Sequence, residues 1–523
     1  MTISPYKQKP ITFETMYNLT GTILTFGYLA LFLFLIPRMN FFRIGNIPTS
    51  WFQGVFVLKV LSGFLLYLIY TYYYTDRSTA DIWKYYDDGM VMYSALHEYP
   101  VDYFKMLFGV MNDTSYFQPY YDEMNHWYRP YGSSIANDTH TIIRFNAFVR
   151  LFSLGHYNVH SVIANFLGLL GLTGILHFLK QMAPRKEKWF FTGIFLMPGM
   201  MFWASGVLKE PLLFFGLGLF LYGVIRLAND GFSIGKLTII CLSLFFLFTV
   251  KSYVLIAIIP GLLAWQLSIR IAKISPAIVF AVVYGLLVVA VIALGQFMPS
   301  KDPLQRLVQK QNAFYQLAEG GTYVKTNASD TLYIDATDYD FLEFSEDRAK
   351  VVLKEEVKAV YWKDAKQETA PSQSLVEGRE LAVLLDYGRT GSTIKTPRLE
   401  PTFWSVLKAS PIALTNATFR PFPWEIRSLF MALSGLENIL IVVLLILAIV
   451  GAYGHTPLPS SATWFLALSF ALVILILTGL VTPVLGAIVR YKVPALPFLV
   501  CALLALIDTE WLERKFELYW KRR

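Results

Sequence analysis

The chain reads as an all-α polytopic membrane protein with about 11 transmembrane helices and two large extracytoplasmic segments. Three observations predict this. Of 523 residues, 55% are hydrophobic and only 16% charged, whereas soluble domains carry about 25% charged residues. The mean hydropathy is +0.47. The apolar residues also come in blocks, and about 20 in a row cross a bilayer as a helix.

Taken in order, the blocks are 17–36, 52–74, 158–180, 189–206, 210–227, 236–251, 253–269, 276–297, 428–450, 461–482 and 490–508. The first is too long for a signal peptide and lacks a small-residue cleavage site, so it is expected to stay as a helix. Residues 1–74 supply two spans, 158–297 a six-helix core, and 428–523 three spans and a basic tail. The pairs 189–227 and 236–269 each hold a polar break, at Lys209-Glu210 and Lys251-Ser252.

Basic residues set the orientation. Arg38 and Arg43, Lys180 to Lys188, Arg226 and Lys236, Arg270 and Lys273, and the tail from Arg514 to Arg523 fall on one side of an eleven-span chain. The positive-inside rule makes that side cytoplasmic and the N-terminus external; Lys7 and Lys9 argue weakly the other way. The net charge of +8 therefore belongs to cytoplasmic loops, not to a nucleic-acid surface. Cys241 and Cys501 lie inside apolar runs, so neither a disulfide nor a cysteine-ligated metal is expected.

Two segments then lie outside. Residues 75–157 carry ten acids against six Lys/Arg, a net of −4, and are rich in aromatics. Residues 298–427 form a soluble insert, in which 341–366 ("FLEFSEDRAKVVLKEEVKAVYWKDAK") predicts a solvated helix among turn-rich stretches.

The candidate chemistry begins at "STADIWKYYDDG" (78–89), with Asp81, Asp87 and Asp88 set among Trp83, Tyr85 and Tyr86. A helix over 81–95 puts Asp81, Tyr85 and Asp88 on one face. Carboxylates beside rings are desolvated, which raises their pKa toward that of a general base; the plain alternative is a solvated exit loop. Cations recur at membrane depth: Lys209 in "FWASGVLKEP", Lys251 in "TVKSYV", Arg490 and Lys492 in "AIVRYKVPALP". Such charges mark functional sites by default. In the plain reading Lys209 pairs with Glu210 and Lys251 snorkels. All four sit at extracytoplasmic helix ends, against the positive-inside trend, and so call for an anionic partner such as a lipid phosphate. "RPFPW" (420–424) reads as an interfacial anchor, with a substrate contact from Arg420 or Glu437 as the lesser alternative. The histidines show no metal spacing, and there is no P-loop or GxGxxG.

These stretches resemble integral-membrane glycosyltransferases of the GT-C superfamily, over 75–300 and 410–505. "ADIWKYYDDG" resembles the acidic motif of their first large external loop, with Asp81 as its aspartate, Tyr85 as its tyrosine and Gly89 as its small residue; on the paired-acid variant the motif is Asp87-Asp88. "FWASGVLKEPLLFFGLGLFLYG" and "RYKVPALPFL" resemble stretches of bacterial polysaccharide-assembly members. The chain departs from the commonest pattern, because a full span precedes the one leading into the loop. The resemblance implies a polyprenyl-phosphate sugar as donor, a glycan or lipid-linked acceptor, and an inverting transfer in a bacterial inner or plasma membrane. An aspartate acts as base, Arg490, Lys251 and Lys209 hold the donor phosphate beside Tyr491, with Arg420 as a further candidate, and Trp83, Tyr85 and Tyr86 stack on sugar. No nucleotide fold is required, and a divalent cation is possible, since some members use one and others do not. A polysaccharide polymerase or ligase, dominated by arginines, is the alternative, and a transporter or non-catalytic assembly subunit is the rival from another class.

Overall fold

The computed structural model describes residues 19–74, 77, 80–111, 114–127, 138–325, 331–345, 350–361, 372–387, 392–454 and 461–509. Lys7, Lys9 and the basic tail from Arg514 lie outside them. Nine helices among the described residues are long and apolar enough to cross a membrane, as a polytopic helical membrane protein requires.

The chain forms two compact units, residues 1–256 with 509–523, and residues 257–508. The first opens with α1 (Leu19–Leu35) and α2 (Thr49–Tyr72). The acidic segment follows as α3 (Asp81–Glu98), α4 (Pro100–Phe108), the short α5 (Gln118–Asp122) and α6 (Asp138–Ser153). Pro100 starts α4, where a missing N–H costs nothing, and Gly109 at φ +72° ends it. α3 crosses α6 at Gly89, where a Cβ would sit 2.8 Å from that of Asn146.

Next come α7 (Tyr157–Leu179), α8 (Glu187–Phe195), α9 (Pro198–Trp203), α10 (Lys209–Asp230) and α11 (Ile234–Arg270). α7 and α10 meet backbone to backbone. A Cβ on Gly171 would lie 2.0 Å from the Phe214 carbonyl oxygen, and one on Gly218 would lie 1.7 Å from that of Gly171. This is the small-residue crossing that lets membrane helices gain van der Waals contact.

Two expected spans are built differently. Residues 189–206 are not one helix: Pro198, with no N–H to give, starts α9 after α8 has ended, and both helices are short. Residues 236–251 and 253–269 form one 37-residue element with non-helical dihedrals at Lys251 (φ −150°, ψ 80°). These account for nine candidate spans against the eleven expected.

The second unit continues with α12 (Pro276–Phe297), α13 (Pro303–Glu319) and a seven-stranded antiparallel sheet. The strands are β1 (Gly321–Lys325), β2 (Thr331–Asp335), β3 (Leu342–Phe344), β4 (Lys350–Leu353), β5 (Val357–Tyr361), β6 (Ser372–Leu375) and β7 (Glu380–Tyr387), in the order β3-β4-β7-β1-β2-β5-β6. The helix expected over 341–366 is therefore β3, β4 and β5, as far as it is described. "KVVL" alternates exposed and buried residues, and its β-branched valines suit the pleat. Val324, Leu332, Ile334, Val351 and Leu381 form the sheet's core.

An extended strap, 392–402, leads to α14 (Phe403–Phe419), α15 (Leu429–Gly454), α16 (Ala462–Val481), α17 (Leu485–Tyr491) and α18 (Leu496–Leu506). The strap is stitched to the α16–α17 break: the Ile394 amide donates to the Pro483 carbonyl at 2.7 Å, and the Leu485 amide to that of Ser392 at 3.0 Å. Buried Gln311 of α13 donates to the Pro397 and Leu480 carbonyls and accepts from the Leu399 amide. α14 lies against α16, with Gly479 opposite the Ala413 carbonyl.

Candidate functional site

Each aspartate of the acidic motif has protein partners. Asp81 opens the first turn of α3, where a carboxylate suits the helix dipole, and lies 3.9 Å from Lys84. Asp87 is gripped by both arms of Arg77, at 2.7 and 2.6 Å, and the guanidinium lies 3.9 Å from the centre of the Trp83 ring. Asp88, 1% exposed, accepts from the Asn125 and His126 amides at 2.9 and 2.8 Å. Burial pushes its carboxyl up to about 7 and outweighs the opposing pull of those two amides. Trp83, Tyr85 and Tyr86 are buried. Trp83 packs against Tyr67 of α2 and Tyr157 of α7, and the Arg150 guanidinium lies 4.3 Å from the Tyr86 ring centre.

The acidic helix reaches the second motif through Tyr85, whose ring centre is 5.0 Å from Lys209 Nζ. Lys209 begins α10 and donates to Asp138 Oδ2 at 2.6 Å. Glu210, next in the chain, turns the other way and accepts from Lys251 Nζ at 3.1 Å. Lys209 and Glu210 thus each reach a partner on another helix, and Lys251 is held inside by a carboxylate instead of snorkelling. The Thr141 hydroxyl, 3.3 Å from the Thr249 carbonyl, ties α6 to α11 beside these pairs. Two lysines and two carboxylates make the cluster neutral. Side-chain exposure falls from 36% at Asp138 to 7% at Lys209, 5% at Lys251 and 0% at Glu210. The cluster lies at the end of α10 opposite Arg226, Asp230 and Lys236.

In the second unit, Lys492 follows α17 fully buried, 3.1 Å from Glu437 and hydrogen-bonded to Asn438 Oδ1. Asn438 in turn donates to the Phe419 and Pro421 carbonyls. Arg420, before a cis proline, lies 3.2 Å from Glu425. Arg490 occupies the last turn of α17, and Tyr491 packs edge-on against Phe314. The anionic partner expected of Lys209, Lys251 and Lys492, a lipid phosphate in the sequence reading, is in each case a carboxylate of the protein itself.

Asp138 was missed in the sequence, since nothing local links it to a lysine 71 residues away. His140 stacks on Trp127, and His160 is buried between Asn146 and Ser153; no metal-binding cluster occurs among the described residues. Comparison with protein families, with characterised proteins and with solved structures finds no match.

Proposed function

We propose that this chain is a membrane glycosyltransferase that moves a sugar from a polyprenyl-phosphate donor to an acceptor hydroxyl, on the face away from its basic loops. One observation carries the reading: the acidic-aromatic helix and the lysine-bearing helix, singled out separately in the sequence, meet where Tyr85 faces the Asp138–Lys209 pair. In this reading the acceptor approaches at Asp138, the open end of the cluster. Its oxygen attacks the anomeric carbon with inversion as the bond to the phosphate oxygen breaks. The lipid phosphate leaves with the electron pair beside Lys209, and the hydroxyl proton passes to a carboxylate. Asp138 and Asp81, one turn before Tyr85, are the acids for that role.

The test is the surface glycan of a deletion strain complemented with variants. Asp138→Asn and Lys209→Met are expected to lower product at least 100-fold, and Asp87→Asn to leave most of it. Full product from Asp81→Asn, Asp138→Asn and Lys209→Met, each folded and inserted, sinks the reading. A polymerase or ligase is the second reading, favoured because Asp87 and Asp88 are already committed to Arg77 and to backbone amides. It predicts dependence on the cations with tolerance of the aspartate changes.

A further inference from the structure

Lys59 lies in the middle of α2, within an apolar span, and is 1% exposed. Its ammonium donates to the Ala204 carbonyl and to Ser205 Oγ at 3.2 Å, both neutral. A buried lysine with no carboxylate partner among the described residues is costly in a membrane helix, and a methionine would fill the same space. What it touches explains its presence. Residues 204–208 are the break between α9 and α10, with Gly206 at φ +77°, and carbonyls released at a helix end inside a membrane need donors. The next turns of α2 complete the grip: a Cβ on Gly63 would lie 3.1 Å from the Gly206 amide nitrogen, and one on Gly206 would lie 3.3 Å from Leu66. Ser205 also donates to the Met201 carbonyl, which ties the break back to α9.

We infer that Lys59 is a positioning residue: it pins the 204–208 break to α2 and so fixes where α10 begins, with Lys209 toward Asp138 and Glu210 toward Lys251. Its bearing on catalysis rests on the sugar-transfer reading; the pinning does not.

The test is amide hydrogen exchange on the full chain in nanodiscs, with glycan output read in parallel. Lys59→Met keeps the volume and removes the donors; exchange over 204–210 is expected to rise at least 10-fold, with 171–179 unchanged. Lys59→Gln keeps a donor and is expected to restore most of the protection, which a packing role alone would not produce. Unchanged exchange over 204–210 in Lys59→Met overturns the inference, whatever the glycan does. Raised exchange with normal glycan keeps the pin and sinks the sugar-transfer reading of the Lys209 end. Should Lys59→Met fail to accumulate, Ser205→Ala removes one acceptor; a rise of about 3-fold is expected, and none overturns the inference.

Discussion

Removing Lys251 is predicted to harm the protein more than removing Lys251 and Glu210 together. The pair is 3.1 Å apart, with side chains 5% and 0% exposed. At an effective dielectric of about 20 its attraction is about 5 kcal/mol. Against that stands the desolvation of two ions, several kcal/mol each, so the intact pair is worth little net. Lys251→Met takes away the cation 3.1 Å from the buried Glu210 carboxylate, at about 3–5 kcal/mol. Glu210→Gln takes the carboxylate from Lys251 at a similar cost. The double variant removes both charges and is expected within about 1 kcal/mol of the parent, giving a coupling of about 5 kcal/mol or more. Equilibrium unfolding in bicelles, by steric trapping, measures all four corners of the cycle. A Lys251→Met protein within about 1 kcal/mol of the parent, with coupling below about 0.5 kcal/mol, would mean that water reaches the pair, and the reasoning fails.

Three further outcomes follow. Gly218→Leu drives a side chain into the Gly171 carbonyl, where even a Cβ sits at 1.7 Å. Overpacking of this kind costs about 1–3 kcal/mol or more, so the variant should unfold well before the parent, while Gly285→Ala, inside α12 with open space around it, should unfold no earlier than the parent. Because burial raises the Asp88 carboxyl to about 7, the folded state holds a proton that the unfolded chain releases near pH 4. That contribution is full below about pH 4 and gone above about 7, so exchange over 121–127 should quicken from pH 5 to 8, more than intrinsic amide chemistry explains, and Asp88→Asn should remove the excess. Gln311→Ala orphans two carbonyls and an amide, at about 1–3 kcal/mol for each group left dry; proteolysis should then cut first within 392–402.

Much of the fold was legible because burial in a bilayer writes itself as length and apolarity. The spans at α1, α2, α7, α12 and α16 needed no tertiary knowledge. The polar break at Lys251 was also legible, as a lysine inside an apolar run. The sheet was not: "VVLKEEVKAV" satisfies helical spacing and strand alternation alike, and only its partners decide. The helix motif around Asp81 and the lysine motif at 209 could each be picked out from local chemistry. Their meeting at Tyr85 could not, and neither could Asp138, whose role comes from a partner on another helix. Lys59 was invisible for the opposite reason: one lysine in 24 residues of span does not spoil its hydropathy.

The strap over 392–402 has a mechanical consequence. It begins bonded to residues 483–485 and is then nailed to α13 by Gln311. Those residues are the hinge from which α17 springs, and Arg490 stands in the last turn of that helix. The tether is extended and short, with little slack to absorb strain. A pull on α13 therefore travels along the strap to the base of α17, so a load gripped at Gln311 would be felt at Arg490.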